Sequence, residues 1–297
     1  MEREVLRRSI LERLGSKVDE HQIEVNGLAT HFLTAGKGTP LLLIHGSVDC
    51  GALSWYPILP TLARNFHVIV PDCPGYGESA KPHVTYDVPF YVQWLEAFLE
   101  AVGVTTAPLV GTSQGGAIAL NFALHQPKQI SRMVLINPAG LIHQYSVSVL
   151  RLVLRSLLQR FAPCRLFERW LEDYMLYDRS CLDDVFALVK RYEQRISALP
   201  EVQSLGALTR SLRITRALPV GQVQKIIQPT LLVCGEHDYI FPPNILKAIV
   251  PQFPNAQLQV VPQAGHALQI EKPSKLIEIA LPFLMGMGAN SSKAVSK

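Results

Sequence analysis

The pentapeptide GTSQG (residues 111–115) decides the fold of this chain, together with the sequence on either side of it. An apolar run at 108–110 precedes it, and the segment GAIALNFALHQP (116–127) follows with helical spacing of its apolar residues. A Gly-x-Ser-x-Gly motif between a strand and a helix is typical of a sharp turn that exposes the serine hydroxyl. The N-terminus of the following helix also favours a developing negative charge. We therefore predict that Ser113 is a nucleophile.

Short apolar runs alternate with longer helical segments, which is typical of a mostly parallel sheet covered by helices on both faces. The candidate strands are HQIEV (21–25), ATHFLTA (29–35), PLLLIHG (40–46), FHVIVPD (66–72), APLVGTS (107–113), SRMVLINPA (131–139), PTLLVCGEHD (229–238) and AQLQVVPQAG (256–265). The first two are half-polar and close together, which predicts an antiparallel hairpin at a sheet edge. The sequence thus predicts an α/β protein with a mostly parallel, eight-stranded sheet.

The stretch between residues 141 and 218 contains no strand-like run, and its apolar residues recur at helical spacing. Helical segments are predicted around 149–158, 166–176, 182–196 and 202–215. Because the strand rhythm resumes at Pro229, this stretch is predicted to be a helical cap inserted after the sixth strand. The predicted division is a core in 1–140 that begins with an N-terminal helix, the cap in 141–218, the second part of the core in 219–288 and a flexible tail in 289–297.

The formal net charge of +4 is too small to indicate a nucleic-acid partner. Residues 142–218 contain twelve Lys or Arg and eight Asp or Glu, so they carry the whole surplus. One interpretation is that the cap attracts an anionic small-molecule substrate or partner. The other is an ordinary solvated helical surface.

The N-terminus, MEREVLRRSILERLGSK (1–17), interleaves acids with arginines, which predicts an amphipathic helix rather than a secretory signal. The chain has no apolar run of about 18 residues, so no transmembrane segment is predicted. Five scattered cysteines favour a reducing compartment over a disulfide framework, and they show no metal-like spacing. We expect a cytoplasmic protein with neither a metal nor another cofactor.

A serine hydroxyl needs a positioned base, and folds with this serine turn place an acid and then a histidine after it along the chain. Asp238 directly follows a buried strand in GEHDYIFPP (235–243), and His266 follows the last strand. In this order they predict that His266 is the base and that Asp238 orients it. His237 is a weaker candidate, because adjacent residues of an extended segment point in opposite directions.

The developing oxyanion needs two N–H donors. The backbone of Gln114, directly after the nucleophile, is the first predicted donor. The loop after the third strand supplies the second, with Ser47 as the preferred residue and Val48 as the alternative. Gly46 would permit close approach there, and His45 is predicted to brace the loop by hydrogen bonding rather than to transfer protons.

These motifs as a set resemble the α/β-hydrolase family over nearly the whole chain. The matching landmarks are LLLIHG (41–46), PDCPGYGESAKP (71–82), VGTSQGG (110–116), the strand that ends at Asp238 and AGHALQIEKP (264–273). The resemblance implies a helical cap that closes over a Ser-Asp-His site. Haloalkane dehalogenases and epoxide hydrolases of this fold carry Asp at the nucleophile position, so Ser113 argues against both of those chemistries.

Local segments are similar to hydrolases that cleave carbon–carbon bonds in meta-cleavage products of aromatic degradation. They are GGAIALNFALHQP (115–127), LINPAGL (135–141) and a cap segment in which a substrate-carboxylate arginine would map to Arg191. The chain departs from that group at Thr112, where those enzymes typically have Asn, and at Ala267, where they often have an aromatic residue. Its SVDCGALSW (47–55) also replaces their glycine-rich oxyanion loop. A solvated charge on the cap is the alternative interpretation of Arg191.

Three functions are therefore carried forward from the sequence. The first is a serine esterase or related acyl hydrolase acting on a small to medium organic substrate. The second is a carbon–carbon hydrolase of vinylogous dienoic acids. The third, from another class, is a ligand receptor, lyase or cyclase that uses the same pocket without hydrolysis, because fold alone does not fix function.

Overall fold

The structure is a computed structural model that describes residues 2–141, 154, 165–203, 213–219 and 221–287. The helix predicted around 149–158 lies outside the described residues apart from Leu154, and the predicted tail, 289–297, lies wholly outside them.

Eight strands form one sheet with the spatial order β1-β2-β4-β3-β5-β6-β7-β8. They are β1 (Val18–Val25), β2 (Leu28–Ala35), β3 (Pro40–Ile44), β4 (His67–Pro71), β5 (Ala107–Thr112), β6 (Ile130–Ile136), β7 (Thr230–Gly235) and β8 (Ala256–Val261). β2 pairs antiparallel with β1 and with β4, and every other neighbouring pair is parallel. The predicted edge hairpin and the mostly parallel, eight-stranded sheet are therefore confirmed.

Alternate residues of the central strands enter two different hydrophobic clusters, one on each face of the sheet. In β3, Leu41 and Leu43 belong to one cluster, and Leu42 and Ile44 belong to the other. All four side chains are almost completely buried. A strand buried on both faces reads as a continuous apolar run, which is why β3 was recognisable in the sequence.

Helices cover both faces. The described α-helices are α1 (Arg3–Glu12), α2 (Leu59–Leu62), α3 (Val88–Ala101), α4 (Gln114–His125), α5 (Arg165–Met175), α6 (Asp184–Ser197), α7 (Pro200–Gln203), α8 (Pro243–Ile249), α9 (Leu268–Glu271) and α10 (Pro273–Leu284). The predicted N-terminal amphipathic helix is α1, which buries Leu6 and Ile10 against the core. In the described ranges, no helix is both long and apolar enough to cross a bilayer.

The described elements between β6 and β7 are helices, with no strand among them. α6 begins where the Asp183 side chain accepts a hydrogen bond from the Phe186 N–H, and it buries Val189, Tyr192 and Ile196. This agrees with a helical stretch at the predicted place. The cap boundaries at 141 and 218 stay a prediction.

Candidate active site

Ser113 lies between β5 and α4 in a strained turn, with φ 51° and ψ −116°. A non-glycine residue in such a conformation costs about 1–3 kcal/mol and is often found at functional sites. The turn also depends on Gly115, because a Cβ there would lie 2.1 Å from the Ile44 carbonyl oxygen. The helix start is thereby pressed against the end of β3, and Ser113 stays partly accessible above the sheet.

His266 and Asp238 form a buried hydrogen-bonded pair. His266 Nδ1 lies 2.8 Å from Asp238 Oδ2. The other carboxylate oxygen of Asp238 accepts N–H groups from Ile240 and Phe241, at 2.8 and 3.0 Å. A carboxylate held by these donors fixes the tautomer in which Nδ1 carries the proton, and Nε2 is then the nitrogen left to accept one.

The short segment 136–139, at the end of β6, ties the backbone of the serine turn to that of the histidine loop. The N–H of Ser113 donates to the Ile136 carbonyl, and the N–H of Ala139 donates to the Ser113 carbonyl. On the other side, the Asn137 side-chain amide donates to the His266 carbonyl at 2.6 Å. One short segment therefore holds both loops. Within the part of the chain that the structure describes, no hydrogen bond joins the Ser113 hydroxyl to the His266 imidazole.

The residues predicted for the oxyanion hole lie beside Ser113. A Cβ on Gly46 would be 3.2 Å from the Ser113 Cβ, so the loop after β3 touches the serine turn. Tyr76 links the two predicted donor residues, since its hydroxyl donates to Gln114 Oε1 at 2.9 Å and lies 3.0 Å from the Ser47 hydroxyl. Among the described residues, the backbone N–H groups of Ser47 and Gln114 have no acceptor, so both are available to a ligand.

His45 braces the oxyanion loop through both ring nitrogens. Nε2 accepts the N–H of Cys73 at 2.9 Å, so Nδ1 carries the proton and donates to the Gly46 carbonyl. Complete burial lowers the pKa of His45, which keeps the ring neutral. With both nitrogens engaged, His45 is a support for the loop and not a proton acceptor for the serine.

Three other residues, His237, Cys234 and Arg191, have surroundings that differ from those of His266. The His237 ring stacks on Tyr177, with centroids 4.4 Å apart. Burial and the nearby Asp238 carboxylate raise the pKa of the Cys234 thiol to about 12, so this cysteine stays protonated. Arg191 lies on the exposed side of α6, opposite the buried face of that helix.

An apolar cluster adjoins the site. It is formed by Ala117, Ala139, Tyr174, Ile240 and Phe241. Two of these are tied to the serine turn, because the N–H groups of Ala117 and Ala139 both donate to the Ser113 carbonyl. In the described ranges, no group of three or more His, Cys, Asp or Glu side chains is placed to bind a metal ion.

Three residues that support the site were not predicted from the sequence. Asn137 adopts a positive φ of 43°, which no motif announces. Tyr76 lies in a recognised landmark segment, but its contacts with Ser47 and Gln114 join distant parts of the chain. Glu271, in the segment after His266, accepts three backbone N–H groups, and a sequence pattern does not show such contacts.

Comparison with known proteins agrees with this architecture. The α/β-hydrolase fold family matches residues 39–273. A 2-hydroxy-6-oxo-2,4-heptadienoate hydrolase of Pseudomonas putida is 30% identical over 267 residues, which cover 87% of this chain and 93% of that protein. A 2-hydroxy-6-oxo-6-(2'-aminophenyl)hexa-2,4-dienoic acid hydrolase of Metapseudomonas resinovorans is 27% identical, covering 93% of this chain and 94% of that protein.

The crystal structure of a membrane phospholipase A superposes with a TM-score of 0.81 at 25% identity, covering 96% of this chain and 91% of that one. The family match spans most of the chain, and the relatives are aligned over nearly their whole length. The predicted resemblance is confirmed, and the chain belongs to the α/β-hydrolase fold family.

Proposed function

We propose that this protein is a serine hydrolase that cleaves carboxylic esters or related acyl compounds through an acyl-enzyme on Ser113. The observation that carries the proposal is the strained Ser113 turn, which the segment 136–139 ties to the buried His266–Asp238 pair. Strain of this kind is maintained where a hydroxyl must be held for chemistry. Membership of a hydrolase family supports the same reaction class.

The reaction follows from this geometry. Ser113 Oγ attacks the acyl carbon while its proton passes to Nε2 of His266, and Asp238 stabilises the resulting imidazolium. The carbonyl oxygen becomes an oxyanion that accepts the N–H groups of Ser47 and Gln114. His266 then donates its proton to the leaving alcohol. In the second half, water gives a proton to His266 as its oxygen attacks the acyl carbon. The bond between that carbon and Ser113 Oγ then breaks, His266 returns the proton to Oγ, and the carboxylic acid leaves.

The substrate is proposed to be a small to medium molecule with an apolar acyl group. The apolar cluster supports this, because two of its members, Ala117 and Ala139, are hydrogen-bonded to the Ser113 carbonyl, which places buried apolar side chains next to the serine turn. Residues 141–218 are proposed to form the cap over the pocket. Its described helices contact the core at several places, among them Met175 beside His266 and Ser197, whose hydroxyl donates to Asp49 at 2.7 Å.

Cleavage of carbon–carbon bonds is the second candidate, because the two relatives named above are dienoate hydrolases. Such a substrate carries a carboxylate, and Arg191 would be its partner. In the structure Arg191 is exposed, and Thr112 and Ala267 replace the typical neighbours of the serine and the histidine. The ester reaction needs none of these three residues, and this is why we place it first.

One screen separates the candidates. The protein is given p-nitrophenyl esters of increasing chain length and, in parallel, a coloured meta-cleavage dienoate, and a fluorophosphonate probe is mapped by mass spectrometry. Ester turnover with the probe on Ser113 supports the proposal. Turnover of the dienoate alone supports carbon–carbon cleavage, and tight ligand binding without any turnover supports the receptor class. The proposal fails if the probe attaches elsewhere.

Ile240→Ala is expected to move the preferred acyl chain toward longer esters. Ile240 is buried in the apolar cluster, and its truncation opens room beside the serine turn. One methylene in an apolar pocket changes kcat/KM by roughly 10- to 200-fold. The ratio of kcat/KM for a long and a short ester measures the shift. Leu246→Ala, an equal truncation in another core cluster, should leave that ratio unchanged; equal ratios in both variants would contradict the assignment.

Tyr76→Phe is expected to lower kcat/KM by about fivefold to tenfold, the loss of one hydrogen bond. The Tyr76 hydroxyl fixes both Ser47 and Gln114, so the oxyanion donors lose a shared support. Tyr86→Phe is the matched control, because its hydroxyl donates to the Pro82 carbonyl outside the site. Steady-state kinetics on one ester compare the two variants, and an equal loss in both would contradict a specific role for Tyr76.

The reaction is proposed to take place in the cytoplasm. Four cysteines in the described ranges are free thiols, which suits a reducing compartment. The N-terminal segment forms α1 and buries Leu6 and Ile10 in the core. Fractionation of the native host with antibodies against the protein tests this location.

A further inference from the structure

The loop that carries His266 is bound to the C-terminal end of α5. The N–H groups of His266 and Ala267 both donate to the Met175 carbonyl oxygen, at 2.8 and 3.1 Å. Met175 belongs to the helical stretch between β6 and β7, whereas His266 follows β8. The backbone of the proposed base is thus held partly by an element outside the sheet.

A buried carboxylate strengthens the same contact. Oε1 of Glu271 accepts the N–H groups of Tyr177 and Asp178, at 2.6 and 3.0 Å. Oε2 accepts the N–H of Gly265 at 2.6 Å. Glu271 is only 5% exposed, so these three donors replace its hydration. A carboxylate placed this way binds the helical stretch with one oxygen and the histidine loop with the other.

Gly265 shows that the two segments are in tight contact. A Cβ at this position would lie 2.8 Å from the Met175 carbonyl oxygen and 2.9 Å from the Tyr177 nitrogen. Both atoms belong to the backbone, which cannot rotate away as a flexible side chain can. The histidine loop and the end of α5 therefore cannot slide past each other: they move as one unit unless the contact opens.

We propose that Glu271 is a positioning residue that couples the seating of α5 to the position of His266. The inference rests on the proposed function, since it takes His266 as the base. When the end of α5 is docked, Glu271 and Met175 fix the backbone of His266 and direct its ring toward the serine. When α5 lifts, the histidine loop loses these ties and keeps its core-side contacts, which include the hydrogen bonds with Asn137 and Asp238. The exact position of the base therefore depends on whether the end of α5 is docked on the histidine loop.

Glu271→Gln tests the coupling. The amide of the variant keeps one acceptor oxygen, but its NH2 group faces a backbone N–H and cannot accept from it. The side chain therefore loses its hydrogen bonds either to residues 177–178 or to Gly265. Because small displacements of reacting groups cost up to about 100-fold, we expect kcat to fall by roughly 10- to 100-fold with a smaller change in KM. Glu271→Ala should lower kcat further. Each rate is divided by the concentration of active sites, which complete fluorophosphonate labelling measures. Unfolded protein is therefore not counted in kcat.

Two further measurements report on position. Amide hydrogen exchange should rise together in residues 175–178 and 264–267 of the Gln variant. The low-field proton resonance of the His266–Asp238 hydrogen bond should shift or broaden. A purely structural Glu271 would lower the melting temperature and leave both kcat per active site and this resonance unchanged.

Glu236→Gln is the matched control. Its carboxylate also accepts an N–H of the histidine loop, from Gln263 at 3.2 Å, but within the described chain it makes no hydrogen bond or ion pair with residues 165–203. It should retain wild-type kcat and exchange rates. An unchanged kcat in both Glu271 variants overturns the inference. If Ser113→Ala abolishes turnover while both Glu271 variants stay active, the inference alone fails; if Ser113→Ala stays active, the proposed function fails with it.

Discussion

Ser113→Ala is expected to lower ester turnover by about 10⁴-fold or more, because the reaction loses its nucleophile while the oxyanion donors and the pocket remain. No described group can replace it: Cys234 keeps its proton, and both nitrogens of His45 are engaged. Turnover of a p-nitrophenyl ester measures the loss. Fluorophosphonate labelling of the same protein should disappear.

Ser113→Gly separates loss of chemistry from loss of folding. Glycine adopts positive φ without steric cost, so this variant relieves the strain at φ 51°. It should be inactive yet more stable than the wild type by about 1 kcal/mol in urea denaturation. Ser131→Ala, on an exposed part of β6, should leave activity unchanged. Turnover that survives in both Ser113 variants would contradict the mechanism.

The backbone of the site was predictable because its elements are local. Each central strand is an apolar run, and the serine turn is encoded by adjacent residues between a strand and a helix. Parallel strands bring their carboxyl ends to one edge, so Ser113, Asp238 and His266 were expected near one another. The structure places all three after β5, β7 and β8, at that edge.

The supports of the site were not predictable, because they depend on contacts between distant residues. The hydrogen bond between Glu271 and Tyr177 joins residues 94 positions apart in the sequence. The one between Asn137 and His266 joins residues 129 positions apart. Nothing in the local sequence of Asn137 announces its positive φ. Sequence periodicity reports which face of an element is buried, but it does not report which buried polar groups become partners.

An ionic cluster around the buried side chain of Arg7 is another set of contacts between distant residues. Arg7 of α1, whose side chain is 6% exposed, contacts the carboxylates of Glu20 and Asp72 and donates to the hydroxyl of Tyr192 at 3.0 Å. His31 lies within 3.4 Å of both carboxylates. The cluster thus joins α1, the edge hairpin, the loop after β4 and α6.

Arg7→Met is expected to destabilise the fold by about 3–5 kcal/mol, because it leaves the buried Asp72 carboxylate without its permanent cation. Arg8→Met is the matched control, since Arg8 is exposed one position along the same helix, and it should cost less than about 0.5 kcal/mol. Urea denaturation gives both free energies of unfolding. Similar values for the two variants would mean that the cluster does not contribute to stability.

The pH dependence of the free energy of unfolding lost in Arg7→Met distinguishes lost charge pairing from lost packing. The hydrogen bond with His31, followed by the charge of Arg7, lowers the pKa of Glu20 to about 2, so its contribution is present above its ordinary pKa and is lost as pH falls toward 2. Burial opposes the charged form of His31, but its hydrogen bonds to Asp72 and Glu20 outweigh this and raise its pKa, so its contribution is lost as pH rises through that raised value.

Without Arg7, the carboxylates and His31 all bind protons more readily in the folded state. Greater proton uptake by the folded state makes stability fall more steeply as pH rises, so the cost of Arg7→Met should be larger at about pH 8 than at about pH 5.5. At the lower pH, protonated His31 still compensates Glu20 and Asp72. A methionine that merely packed less well than arginine would give the same cost at both pH values, and that result would exclude the electrostatic role of Arg7.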